Sequence, residues 1–277
     1  MPTSPSPRRG AKVPPPAAAP ARSLWPRVAA VAALAVALVL VSALPASSVT
    51  RFLPAMVHAE DFSGTLWHGS AGRVAVNGRD AGALEWHLHP LALLTLHVAA
   101  DLHWVKGSFV LDGALDVDRG EVTLTNLQGG GPIGDLRDLG VTAGWSGSAA
   151  VRLQQLSAEV HAGGASLKSA TGEISVTDVV SPQLAQGADL GGYVLKFSNP
   201  ALTPDTDAAA TLTDTGGPLG VDAQIQLSLK NRSGLLSGAV KERPDTPPAL
   251  RSELANIAQL HARDAQGRIP IDVEFTF

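Results

Sequence analysis

Residues 84–104 read "LEWHLHPLALLTLHVAADLHW" and hold four of the eight histidines of the chain. Leu84, Trp86 and Leu88 alternate with Glu85, His87 and His89. Leu96, Val98, Ala100, Leu102 and Trp104 alternate with His97, Ala99, Asp101 and His103. A period of two predicts half-buried strands rather than a helix. Folding the segment about Pro90–Thr95 makes a hairpin whose opposed residue numbers sum to 188. Both apolar rows then share one face, and His87, His89, His97, His103, Glu85 and Asp101 share the other. In that register Glu85 faces His103 and His87 faces Asp101, pairs expected to contribute a few tenths of a kcal/mol up to about 1. The H-x-H spacing sets two imidazoles on one side of a strand, as metal sites need. A site also needs a rigid third ligand and a shell that excludes water. The expected reading is a solvated face without a cofactor, with a metal site as the alternative.

The same alternation recurs at Phe109–Val117, Glu173–Thr177, Tyr193–Phe197, Ala223–Lys230 and Ile269–Phe277. Between such runs stand "DRG", "LQGGGPIG", "HAGG", "DLGG" and "TDTGG", which predict turns of an antiparallel β protein. One stretch differs. In "PALRSELANIAQLHARDAQGR", Leu250, Leu254, Ile257 and His261 recur at helical spacing, and Gly267 marks the return. A helix of about three turns is predicted there, followed by a last strand. "KERPDTPP" is a local linker, and no further domain boundary is visible after residue 46.

Upstream the composition changes. Residues 1–24 form a basic Pro/Ala-rich tail expected to be disordered, since it has too little apolar surface to offset ordering entropy. Residues 25–45 are expected to be a membrane anchor. Val28–Leu44 is apolar except for Ser42, and it includes Leu34, Leu38 and Leu40. Seventeen residues reach the lower limit for a hydrocarbon core of about 30 Å, with Trp25 at headgroup level. Arg27 and the other basic residues before the anchor argue for a cytoplasmic N-terminus, which places residues 46–277 in the periplasm as a single β domain. A cleavable signal peptide and a buried Ala/Val helix are the competing readings.

Charge and motifs narrow the function classes. Five of the 21 basic residues precede residue 50 and none of the 25 acids does, leaving 16 basic against 25 acidic side chains beyond it. An acidic domain of this kind is a poor ligand for nucleic acid or for anionic lipid headgroups. The absence of cysteine removes thiol catalysis, thiolate metal sites and disulfides together. "GGGPIG" fits G-x-G-x-x-G but lacks the flanking strand and helix of a dinucleotide site. "DVDRGE" is half a calcium loop, better read as a hairpin turn between Val117 and Val122. "GWSGS" is no nucleophile elbow, because Ser148 stands where glycine is required. Nothing in the sequence supports an enzyme.

"FSGTLWHGSAGRV" with "GALEWHLHPLALL", then "GALDVDRGEVTLTNLQG" and the closing "LANIAQLHARDAQGRIPIDVEFTF", resemble the type II secretion system protein N family. The resemblance implies an inner-membrane component of the machine that moves folded proteins across the outer membrane. It implies as partners other components of that machine, among them the inner-membrane subunit and the outer-membrane secretin. The family's strands in turn resemble those of AsmA-like proteins, which implies a long curved antiparallel sheet, or half-pipe. The expected fold is thus mostly β: one N-terminal transmembrane helix, the half-pipe, and one short helix near the C-terminus. Curling such a sheet would bury its apolar face on itself.

Two alternatives follow from the same residues. A half-pipe lined by Trp67, Trp86, Leu88, Trp104 and Leu111 would suit a lipid carrier, with bound lipid as ligand. The alternating "VEFTF" terminus suggests an outer-membrane barrel, against which stand the single tyrosine and the missing aromatic girdles. For a secretion component, the candidate contact edge is the last strand, with Ile269, Ile271, Val273, Phe275 and Phe277 on one face.

Overall fold

The computed structural model describes residues 43–277 except 52, 141–143, 162–163, 183–186, 204–206, 229–230, 232, 261–262 and 277, and gives the backbone alone at 161, 164–165, 257 and 259–260. Most of the expected anchor, from Trp25 through Ser42, lies outside the described residues, as do His261 and Phe277. No helix among the described residues is long and apolar enough to cross a membrane.

Thirteen strands follow one another in a single antiparallel sheet whose spatial order is the chain order. They are β1 (Val57–Gly64), β2 (His68–Val76), β3 (Arg79–Leu88), β4 (Val98–Lys106), β5 (Phe109–Asp118), β6 (Glu121–Pro132) and β7 (Ser146–His161). The sheet continues with β8 (Gly164–Val180), β9 (Tyr193–Asn199), β10 (Ala208–Asp214), β11 (Leu219–Ser228), β12 (Ser233–Glu242) and β13 (Ile269–Thr276). Tight turns set the early registers. Asn77-Gly78 joins β2 to β3 and Arg119-Gly120 joins β5 to β6, all four residues at positive φ. Such turns match the right-handed strand twist. The expected hairpin is present in the expected register, with Glu85 opposite His103 and His87 opposite Asp101.

The alternation leaves one continuous apolar face. Ladder partners carry it from Leu84–Trp104 through Trp104–Leu111 and Leu124–Leu156 to Ile174–Leu195. It continues through Leu212–Ala223 and Val221–Val240 to Val240–Ile269. Bulges in β2, β3, β6, β7 and β8 realign the pleat where the count of residues would otherwise flip the face.

This face is not buried on itself alone, as simple curling would require. Three helical segments cover it in sequence. A 3-10 turn, Ala46–Arg51, sets Ala46 against Ala71 and Trp86. A second, Ile133–Leu139, sets Ile133 against Phe109 and Val151. Helix α1 (Pro248–Leu260) is the predicted C-terminal helix, and its Leu250 and Leu254 pack with Val179, Leu190, Val240 and the fully buried Ile269. Between these covers the face is concave. Val122 of β6 and Leu227 of β11 line one apolar cavity of about 440 Å³. Along a flat sheet those strands would be about 24 Å apart, at 4.8 Å per strand.

Lys106, 7% exposed, ends β4 on the apolar face with its Nζ 3.1 Å from Asp80 and 3.2 Å from Asp138. Burial alone would pull its ammonium down, but the two carboxylates hold it above its ordinary value. The ion pairs tie the second 3-10 turn to β3 and β4.

The glycine run departs from its expected role. Gly129, Gly130 and Gly131 lie inside β6 rather than in a turn. A Cβ on Gly129 or Gly130 would be driven into the carbonyl oxygens of Val110 and Ala149 on the neighbouring strands. These glycines permit close strand approach at positive φ, which no other residue does without strain.

Candidate functional site

The histidine face is built by β2, β3, β4 and β5. His68 of β2 faces His87 of β3 with ring centroids 3.9 Å apart, and His89 lies 5.4 Å from His87. The ladder neighbours foreseen as ion pairs are not the hydrogen-bonded ones. Asp101 is bonded by His89 Nε2 at 2.8 Å, and His103 Nδ1 reaches Asp112 on β5 at 2.6 Å. Imidazoles are long enough to reach diagonal or next-strand carboxylates, so opposition in the ladder does not fix the partner. His97 lies 3.6 Å from Asp116.

A depression of about 740 Å³ opens here, lined among others by Ser63, His68, Glu85, His87, His103 and Asp112. Among the described residues no group of three His, Asp or Glu side chains could hold a metal ion. Thr95, His97 and Asp116 resemble a catalytic triad in composition only. The Thr95 hydroxyl donates to the Ala92 carbonyl at 2.8 Å, so its 2.8 Å bond with His97 Nδ1 has the hydroxyl oxygen as acceptor. A nucleophile needs the opposite polarity.

Of the five residues expected to line an apolar groove, Trp86 and Leu88 border a cavity of about 240 Å³ with Val49, Phe62 and Leu102. Trp86 donates Nε1–H to the Leu66 carbonyl at 2.9 Å and meets Phe62 edge-on at 6.4 Å. Trp104 and Leu111 belong to the next cluster, where Trp104 donates to the Ala81 carbonyl at 2.6 Å. Trp67 is elsewhere: it sits between β1 and β2, where its carbonyl accepts from Leu88 N–H. Leu44, expected in the anchor, lies against the sheet, its carbonyl accepting from Leu66 N–H at 2.8 Å while Pro45 bridges Thr65. Proline cannot continue a helix, so a helical anchor ends before this point.

Among the described residues the last strand, β13, pairs with β12 alone, and its other side is open. Val273 and Phe275 are 49% and 37% exposed on one face, while Leu235 of β12, opposite Glu274, is exposed on the other. The sequence carried a second sign of this position in Pro270, since proline in a strand is confined to edges, first residues and bulges.

Among the described residues, one long open antiparallel sheet of 13 strands, with an apolar face under partial helical cover, makes this a mostly β protein. The chain belongs to the type II secretion system protein N family, whose model, "Type II secretion system (T2SS), protein N", matches residues 55–272. A protein of Vibrio cholerae serotype O1 (strain ATCC 39315 / El Tor Inaba N16961), named "Type II secretion system protein N", is 39% identical over 56 residues, or 20% of this chain and 22% of that protein. The match thus spans about a fifth of the relative's length. No solved structure matches the chain.

Proposed function

We propose that this protein is a non-enzymatic component of the type II secretion machinery, tethered in the inner membrane by the apolar run that begins at Val28, with its N-terminus in the cytoplasm and its sheet in the periplasm. It supports the release of folded proteins by contacting other components, the inner-membrane subunit and the outer-membrane secretin among them. The observation that carries this reading is the open, apolar edge at β13. An unpaired row of N–H and C=O groups flanked by exposed Val273 and Phe275 is a template for strand addition. A protein without such a partner would be expected to blunt the edge with charge. Here Asp272 and Glu274 supply charge on the opposite face only.

A clean deletion tests the reading. Exported substrates should still be made and reach the periplasm, but should be retained there instead of being released. Unchanged release would refute it. An acyl lipid that copurifies with the detergent-free β domain, and is lost with Trp86→Ala, would favour a carrier instead.

A further inference from the structure

The 3-10 turn Pro90–Thr95 that joins β3 to β4 carries the most exposed large apolar side chains among the described residues. Leu91, Leu94 and Leu96 are 77%, 80% and 85% exposed, with Leu93 also outside. No charged residue occurs between Pro90 and Leu96. The turn is tied to itself, with Leu96 N–H directed to the Ala92 and Leu93 carbonyls and the Thr95 hydroxyl to Ala92. Leu96 holds φ 62, a left-handed conformation that glycine or asparagine adopts more cheaply. A strained leucine left in water is a cost that folding does not require, which points to use of the side chain.

The position of the turn says what covers it. One row of backbone hydrogen bonds crosses this end of the sheet: Leu66 to Leu44, Leu88 to Trp67, and His89 to Ala99. Leu44, where the chain continues back into the apolar run, is therefore only about two strand spacings, roughly 10 Å, from the base of the leucine turn. We infer that Leu91, Leu94 and Leu96 insert into the periplasmic lipid interface of the same bilayer that holds the anchor. This rests on the proposed tether. The internal hydrogen bonds of the turn lower the cost of leaving water. The anchor holds the turn near the bilayer at high effective concentration, so a few leucines suffice. His89, Thr95 and His97 at its base form a polar collar suited to headgroups, with the Asp101 and Asp116 carboxylates beneath them.

The absence of cysteine makes a direct test available. The full chain carrying Leu94→Cys, or Ser108→Cys in the β4–β5 turn at the far end, is labelled with an environment-sensitive fluorophore. Each is reconstituted in vesicles of phosphatidylethanolamine and phosphatidylglycerol with or without bromine on the acyl chains. The label at position 94 should lose most of its emission to brominated lipid and resist aqueous iodide, whereas the label at 108 should do the reverse. A chain that floats with the vesicles while position 94 is quenched by iodide as readily as position 108 overturns the inference and leaves the tether standing. A label shielded from both quenchers overturns it in favour of a second copy of the chain. A chain that does not float with vesicles overturns tether and inference together.

Discussion

At the scale of single residues, the two faces of β3 should respond oppositely to substitution. Trp86 is buried, its ring meets Phe62, and its N–H is satisfied by Leu66. Trp86→Ala should therefore cost about 3–5 kcal/mol, and Trp86→Phe about 1 for the lost hydrogen bond with most packing kept. Gln at both His87 and His89 should cost less than about 1 kcal/mol, because the His89–Asp101 pair is exposed on both sides. Urea unfolding of the three variants checks the order. Asp214 is a different case. Burial pushes its carboxyl up, but the N–H groups of Val221 and Gly216 and the Arg243 guanidinium, 2.6 Å away, hold it below its ordinary value. A folded value below the unfolded one gives stability that is complete above about pH 3.9 and is lost as pH falls through the folded value. Asp214→Asn should lower stability by about 2 kcal/mol at pH 7, and its stability curve should be flatter than wild type below about pH 4. An unchanged acid limb would show that Asp214 contributes nothing to it.

At the scale of elements, β13 allows a test that separates its two sides. Successive N–H groups along a strand point in opposite directions, so of Asp272 and Val273 one donates toward β12 and the other toward the open edge. Pro at the inward position removes a ladder bond and should lower the melting temperature. Pro at the outward position should leave melting within a degree or two and abolish capture of a secretin domain by the purified protein. If neither proline affects capture, the contact lies elsewhere. The elements also show how far a sequence carries. Period-two alternation and turn residues were enough to foresee the Glu85–His103 register and the Arg119-Gly120 hairpin, and helical spacing was enough to foresee α1. These are local signals reinforced by large side chains. Strand β10 escaped because "AAATLTD" opens with alanine on both faces, which gives weak contrast between them. The glycine run misled because glycine can mark a close approach between strands as well as a turn. The two 3-10 covers were not foreseen, since Ala46 and Ile133 match the face through tertiary packing that no periodicity records.

At the scale of the whole molecule, the charge distribution sets the expected topology. All five basic residues before residue 50 precede Val28, and the acids begin only at Glu60. The bias of lysine and arginine toward the cytoplasmic side sets which end stays behind, so everything after the apolar run should be exported. A reporter enzyme that works only outside the cytoplasm should be active when fused after residue 60 and silent when fused after Lys12. Because Leu44 and Pro45 are already bound to the β1–β2 connection, a spanning segment must be accommodated upstream of them, within Trp25–Ala43. Such a tether would leave little slack between bilayer and sheet and would keep the Pro90–Leu96 end turned toward the membrane. Inserting a flexible Gly/Ser linker of about ten residues between Ala43 and Leu44 would lengthen the reach by roughly 15–20 Å. Export and membrane retention at high salt should survive the insertion. Quenching of a label at position 94 by brominated lipid should weaken, because the effective concentration of the turn at the interface falls. Recovery of the wild-type protein as a trimmed, freely soluble periplasmic species would sink the anchor, and with it the geometry that points this end of the sheet at the membrane.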